Sequence, residues 1–286
     1  MSELLFDSEW LTLRRRADHQ ARDTLLNEEA NYWLTTRQRS HIVDLGAGNG
    51  SNAHYLIPWL GPQQHWRLID HDAGLLKDAR RGLEELIQTH HPDAGHCIDT
   101  GEMDLNALDL PSLHQQWPID LVTASALLDL ASESWIEGLV GQCQRIQAAV
   151  LLVLNVNGHW SITGIKDPLD ETIRQAFNTH QTKSKGLGQG AALGPMAAFN
   201  AVDQFKAAGF EVQTRTSVWQ LLAGSAYTKA LGFQLINGWH QAACEMLPDQ
   251  THEFDVWFVR RQTQLNTGQV GIEVGHTDIY AEPLAS

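Results

Sequence analysis

The apolar residues of this chain change period along its length, and those changes lay out the elements. Residues 7–38 carry Leu11, Leu13, Ala17, Ala21, Leu25 and Leu26 among charged positions, the spacing of an amphipathic helix. From residue 41, short continuous apolar runs alternate with helical patterns. The runs at 41–45, 66–70, 119–124 and 149–154 read as strands, with one more short strand at 95–99 or 101–105. Between them, 51–60, 73–89 and 133–148 read as helices, the second with Leu75, Leu76, Ala79, Leu83 and Leu86 on one side. This alternation predicts an α/β fold with a Rossmann-like, doubly wound sheet, mostly parallel, behind an N-terminal helical cap. Past residue 154 the pattern loosens. Residues 157–195 hold little periodicity and the glycines Gly186, Gly188, Gly190 and Gly194, so a lid-like insertion is expected there. A helix at 196–208, a strand near 210–219, a helix at 226–247 and a last strand from Phe254 to Arg260 follow. In the tail from 262, Val270, Ile272 and Val274 alternate, which leaves one more strand and disorder both open.

The densest chemical signal is Ile42-Val43-Asp44-Leu45-Gly46-Ala47-Gly48-Asn49-Gly50. An apolar strand ends in an acid and breaks into three glycines at alternate positions. Glycine there permits a tight turn in front of a helix and lets a ligand lie against the main chain. A dinucleotide fingerprint needs its third glycine one residue later, where this chain has Ser51. The second strand, Trp66-Arg67-Leu68-Ile69-Asp70, ends in a carboxylate twenty residues after Gly50. In a doubly wound sheet an acid at that tip lies beside the first glycine turn, where it can accept hydrogen bonds from ribose hydroxyls. Asp70 suits this better than Asp72, which reads as a helix cap.

The acid-x-G-x-G-x-G stretch resembles motif I of class I S-adenosylmethionine (SAM) dependent methyltransferases, and the likeness extends over roughly residues 40–260. It implies SAM as cofactor, with Asp44, Gly46, Ala47, Gly48 and Gly50 forming the cofactor turn and Asp44 supporting the methionine amino end. It implies that Asp70 holds the ribose, and that Asp104 and the backbone of Leu105, after the third strand, recognise adenine; Asp109 competes for that role. It places Ser125, after the fourth strand, against the methionine portion. It also implies two closing strands after the fifth, the last antiparallel. On this reading 1–40 is the cap, 41–261 the SAM-binding domain with its insertion at 157–195, and 262–286 the tail.

The Asn/Asp-Pro-Pro-Tyr/Phe run of enzymes that methylate base or glutamine nitrogens is missing after the fourth strand, where Ser125-Ala126-Leu127-Leu128-Asp129-Leu130 stands. A formal net charge of −14 also disfavours a phosphate-backbone target. Both point to methylation of oxygen or nitrogen on a small-molecule acceptor. A non-catalytic SAM-binding protein and an enzyme acting on a macromolecule remain as alternatives. Methyl transfer needs in-line positioning and removal of a proton where the nucleophile carries one. A histidine titrating near neutrality suits that task. His159, His180 and His240 are candidates, with His180 first because a glycine-rich stretch follows it. Asp129 either orients an acceptor or caps the next helix. Arg14, Asp18 and Arg22 stack on one helix face, either as an ion-pair ladder or as part of a helix covering the cofactor. Trp160, Trp219 and Trp239 either line an aromatic acceptor pocket or fill the core. The three cysteines, far apart and odd in number, are expected to be free thiols with no metal site. With no apolar run of membrane length and no leader pattern at Met1–Leu4, a cytoplasmic protein is expected. Oligomeric state is not legible.

Overall fold

The computed structural model describes residues 8–38 and 40–284; Met1–Leu4 and the last two residues of the tail lie outside them. Its strands are β1 (His41–Leu45), β2 (His65–Asp70), β3 (Cys97–Glu102), β4 (Leu121–Ser125), β5 (Ala149–Thr163), β6 (Phe210–Leu221) and β7 (Gly271–Pro283). Its α-helices are α1 (Ser8–Ala21), α2 (Thr24–Arg37), α3 (Ser51–Leu56), α4 (Ala73–His90), α5 (Leu110–Gln116), α6 (Glu133–Ile146), α7 (Leu169–Gln181), α8 (Ala197–Ala207), α9 (Ala226–Met246) and α10 (Thr251–Asn266). One sheet joins all strands in the order β3-β2-β1-β4-β5-β7-β6. The first five run parallel, while β7 lies antiparallel between β5 and β6. This is a Rossmann-like, doubly wound fold, mixed only at its last strand. Among the described residues, no helix is long and apolar enough to cross a membrane.

Strand side chains alternate between faces, and here both faces are covered, which is why the parallel strands read as unbroken apolar runs. Val43, Leu45, Val122, Ala124, Val150 and Leu152 pack under α5, α6 and α8. Ile42, Trp66, Leu68, Leu121, Leu151 and Val153 pack under α2, α3 and α4. Each buried side chain of this kind contributes roughly 1.5–3 kcal/mol.

Beyond the parallel part, β5, β6 and β7 continue as a long antiparallel extension with a core of its own. Trp160, Trp219, Trp239, Trp257, Ile272 and Val274 pack there with α7, α9 and α10. Two expectations are corrected and one left open is settled. The single N-terminal helix is two, because Asp23 caps a new start by accepting from the Leu25 N–H at 2.8 Å. The strand expected over Phe254–Arg260 is helix α10. Its buried positions, Phe254, Trp257, Arg261 and Leu265, follow helical spacing, while Val256 and Val259 face outward. The alternating residues of the tail form β7, the strand that closes the sheet. The segment 157–195 is only partly irregular: it holds the end of β5 and all of α7.

Candidate functional site

The glycine turn is built as the sequence implies. Gly46, Gly48 and Gly50 have φ of 63°, 51° and 77°, conformations that cost little only for glycine. At Gly50 space is limiting as well, since a Cβ would meet the Ala79 Cβ at 3.0 Å and its Cα at 3.3 Å. Ser51 starts α3 directly, so the turn is one residue shorter than a dinucleotide fingerprint allows. The buried carboxylate of Asp70 locks the turn to the tip of β2. Its Oδ2 accepts from the Gly48 N–H at 2.8 Å, and its Oδ1 accepts from the Asp72 N–H at 3.0 Å. Asp72 caps α4, accepting from the N–H groups of Gly74 and Leu75 at 2.8 and 3.0 Å.

A cavity of about 560 Å³ opens above the carboxyl ends of β1, β2 and β4, the position at which open α/β sheets bind ligands. Gly46, Ala47, Gly48, Asp70, Asp104, Leu105 and Ser125 all line it. Asp104 holds its turn by accepting from the Asn106 N–H at 2.8 Å. Asp109 instead caps α5 and does not reach the cavity. Asp44 is placed differently from the others: it is fully buried behind the turn. Its Oδ1 accepts from Asn52 Nδ2 at 2.7 Å, its Oδ2 has no hydrogen-bond partner, and burial pushes its carboxyl up to about 7. Asn52 stands between Asp44 and the cavity wall, and Arg22 Nη1 donates to the Asn52 Oδ1 at 2.9 Å.

Two further walls complete the cavity. Leu11, Arg14 and Asp18 of α1 cover one side, so the helix is a cavity wall; of the expected ladder only the Arg14–Asp18 pair forms, and Arg22, past the helix end, bonds Asn52 instead. Arg14 Nε donates to Asp18 Oδ2 at 2.9 Å, and Trp219 Nε1 donates to Asp18 Oδ1 at 3.2 Å. Lys185, Gly186 and Leu187 cover another side. Asn106 pins that loop, donating from Nδ2 to the Gly186 carbonyl and accepting the Gly188 N–H at Oδ1, both at 2.8 Å. An asparagine two residues past the adenine-side acid was the available signal, and the amide's reach across 80 residues was not visible in it.

A second cavity, of about 180 Å³, shares Arg14 and Ala126 with the first. Ala126 holds φ at 52° without being glycine, at the point where β4 ends and both cavities meet, and such strain persists only where the surroundings enforce it. Trp10, Trp160, Trp219, Trp239 and Phe177 give this cavity aromatic walls. Asp129 faces it, and burial pushes its carboxyl up to about 6 against the opposing pull of Arg14. The next helix is capped by Ser132, not Asp129. His159 lies at the rim of this cavity. His180 reaches neither cavity: its Nε2 pairs with Glu245 Oε2 at 2.9 Å, where Lys183 also binds. His240 pairs with Asp255 at 2.8 Å, with Cys244 Sγ 3.4 Å away. Of the candidates named from the sequence, Asp129 and His159 line the second cavity, while His180 and His240 line neither.

No family model and no curated protein matches the sequence. Solved structures share its chain course at low identity. Mycolic acid cyclopropane synthase in its apo form is 11% identical over 84% of this chain and 82% of its own, with a TM-score of 0.40. YjhP from E. coli is 13% identical over 98% of this chain and 100% of its own, at 0.40. Geranyl diphosphate C-methyltransferase from Streptomyces coelicolor A3(2), in complex with Mg2+, geranyl diphosphate and S-adenosyl-L-homocysteine, is 7% identical over 86% and 71%, also at 0.40. Likeness at this level assigns no substrate or chemistry, which rest on the cavities themselves.

Proposed function

We propose that this chain is a SAM-dependent methyltransferase acting on oxygen or nitrogen of a small molecule. The observation that carries this reading is the buried Asp70 carboxylate, fixed at the lip of a three-glycine turn over a cavity of about 560 Å³. That volume lies within the range of roughly 300–1,000 Å³ typical of small-molecule and cofactor sites. The donor set also fits: an acid for a ribose diol, an acid and an amide at the β3 end for adenine, and a polar end for an amino acid. SAM supplies a methyl group on a sulfonium whose departure leaves a neutral thioether.

The chain's own groups then bind, orient and move a proton. Asp70 accepts the ribose hydroxyls. Asp104 accepts the adenine amine, and Leu105 presents its N–H; its carbonyl is already taken by Trp135 Nε1 at 3.1 Å. Gly46, Ala47 and Gly48 give a surface without side chains long enough to obstruct the cofactor, while Gly50, outside the cavity lining, lets the turn pack against Ala79. Asp44 acts on the methionine amino end through Asn52, and Arg14 faces the carboxylate end. Ser125 borders the methionine portion, and Asp129 receives the acceptor's proton.

The test is calorimetric titration with S-adenosylhomocysteine and with NADH. The homocysteine nucleoside is expected to bind with a Kd of about micromolar order, and NADH not to bind. Asp70→Ala should weaken binding about 100-fold, the loss of two hydrogen bonds to a charged acceptor. A folded wild-type protein that binds no S-adenosylhomocysteine would overturn the reading.

A further inference from the structure

The second cavity carries information about the acceptor. Its volume, about 180 Å³, is small; a dry cavity of roughly 150 Å³ accommodates one benzene. That space matches one ring with one or two polar substituents more closely than a fused bicycle. Its walls favour a flat occupant. Trp160 and Trp239 stack face to face at 3.8 Å and 2°, which fixes both indoles. Trp219 is held between His276 at 5.1 Å and the Arg14 guanidinium at 5.3 Å. Rigid aromatic surfaces of this kind pair with other rings in offset or edge-on geometry, with a gain beyond simple burial.

The polar groups add a pattern. Trp160 Nε1 is a buried donor and Asn178 Oδ1 a buried acceptor, and neither has a hydrogen-bond partner. Trp160 is only 3% exposed. Asn178 uses its amide nitrogen on the Gly158 carbonyl at 2.9 Å, so the orphaned oxygen belongs to a side chain already held in place. A buried polar group without a partner is costly unless something answers it. Both residues line the cavity, and a hydroxyl there can accept from the one or donate to the other. Arg14 lines the same cavity as Asp129, and its guanidinium is placed to stabilise an oxygen that becomes anionic.

We infer that the acceptor is a monocyclic hydroxyarene, bound in the second cavity and methylated on its phenolic oxygen. The inference rests on the cofactor reading above. In the reaction the acceptor's O–H bond breaks and its proton passes to the Asp129 carboxylate. The freed electron pair on oxygen forms the bond to the methyl carbon. The methyl–sulfur bond breaks with its pair retained on sulfur, and Arg14 faces the oxygen while its charge develops. Asp129 then returns its proton to solvent.

The experiment is equilibrium binding followed by tryptophan fluorescence and calorimetry, with S-adenosylhomocysteine present throughout. Catechol and phenol are the probes, cyclohexanol the non-aromatic control and 2-naphthol the oversized one. Catechol and phenol are expected to bind at least about 10-fold more tightly than either control. Trp160→Phe, which keeps the ring and deletes the N–H, should weaken catechol about 10-fold and leave S-adenosylhomocysteine unchanged. Asp129→Asn should retain catechol binding and lose transfer of the methyl group from SAM to it. Equal binding of catechol and cyclohexanol, with S-adenosylhomocysteine bound normally, would overturn the hydroxyarene assignment and spare the cofactor reading. Failure of S-adenosylhomocysteine to bind while catechol still does would overturn the cofactor reading and the transfer step, and leave the ring cavity standing.

Discussion

The two halves of the sheet solve the problem of holding a site in different ways. In the parallel half, β1 to β4, the functional surface is mostly main chain: glycine backbone and strand tips, with one carboxylate fastening the turn. In the antiparallel extension of β5 to β7, it is almost all side chain. There the chain is held by long-range pairs. The Leu154 N–H donates to Asp278 Oδ1 at 2.6 Å across the β5 bulge, and Ser217 Oγ donates to the same oxygen at 2.7 Å. Backbone-built sites demand particular residues at fixed spacing, and side-chain-built sites demand only that distant residues meet. The first kind leaves a motif, and the second leaves a composition.

This difference predicts where substitutions strike. The largest effect is expected in the extension, at Asp170→Ala. Asp170 pairs with the guanidinium of Arg261, whose side chain is wholly buried, and its Oδ1 accepts from Trp257 Nε1 at 2.8 Å. Removing it strands a buried cation, which costs about 3 kcal/mol once the retained bonds from Arg261 to Ile165 and Gln264 are considered. Urea unfolding should show that loss, while S-adenosylhomocysteine affinity of the folded fraction stays within about two-fold. A parallel loss of cofactor affinity would mean that the two halves are not separable as drawn.

The next effect belongs to the parallel half and to pH. The Asp44 carboxyl, raised to about 7 by burial, holds its proton more tightly when folded than when unfolded. Its favourable contribution is therefore complete below about pH 4 and is lost as pH rises to about 7. Asp44→Asn should flatten this part of the stability profile, measured as urea midpoints from pH 4 to 8. An unchanged profile would show that Asn52 and Arg22 already compensate the buried charge.

What could be read from the sequence follows the same division. The strand tips, glycine turn, Asp70 and Asp104 were legible because each is fixed by near neighbours. The extension was not. Phe254-Asp255-Val256-Trp257-Phe258-Val259 is dense in strand-favouring residues, and only packing against α9 reveals it as a helix with Val256 and Val259 outside. The start of β7 carries Glu273, His276 and Asp278, polar residues that look misplaced in a strand. His276 and Asp278 are buried there because β5 and β6 supply their partners. The tryptophans of the second cavity come from α1, β5, β6 and α9, so no window of sequence contains them together.

The smallest expected effect is the most discriminating for catalysis. His180 lies beside the glycine-rich loop in sequence, yet its ring meets Glu245 on α9, a residue more than half exposed. That arrangement is a surface contact, weak because water screens it, and Lys183 still occupies Glu245 without it. His180→Ala should therefore leave both S-adenosylhomocysteine affinity and the methyl-transfer rate within about two-fold of wild type. Asp129→Asn should lower the same rate by about 10²–10⁴, the range expected for a general base. The pH profiles separate the two residues further: a wild-type rate rising through about pH 6 follows the Asp129 carboxyl as burial sets it, and that limb should persist in His180→Ala and vanish in Asp129→Asn. Were His180→Ala to lose the rate instead, the proton would leave through α7, and the second cavity would no longer be where the acceptor reacts.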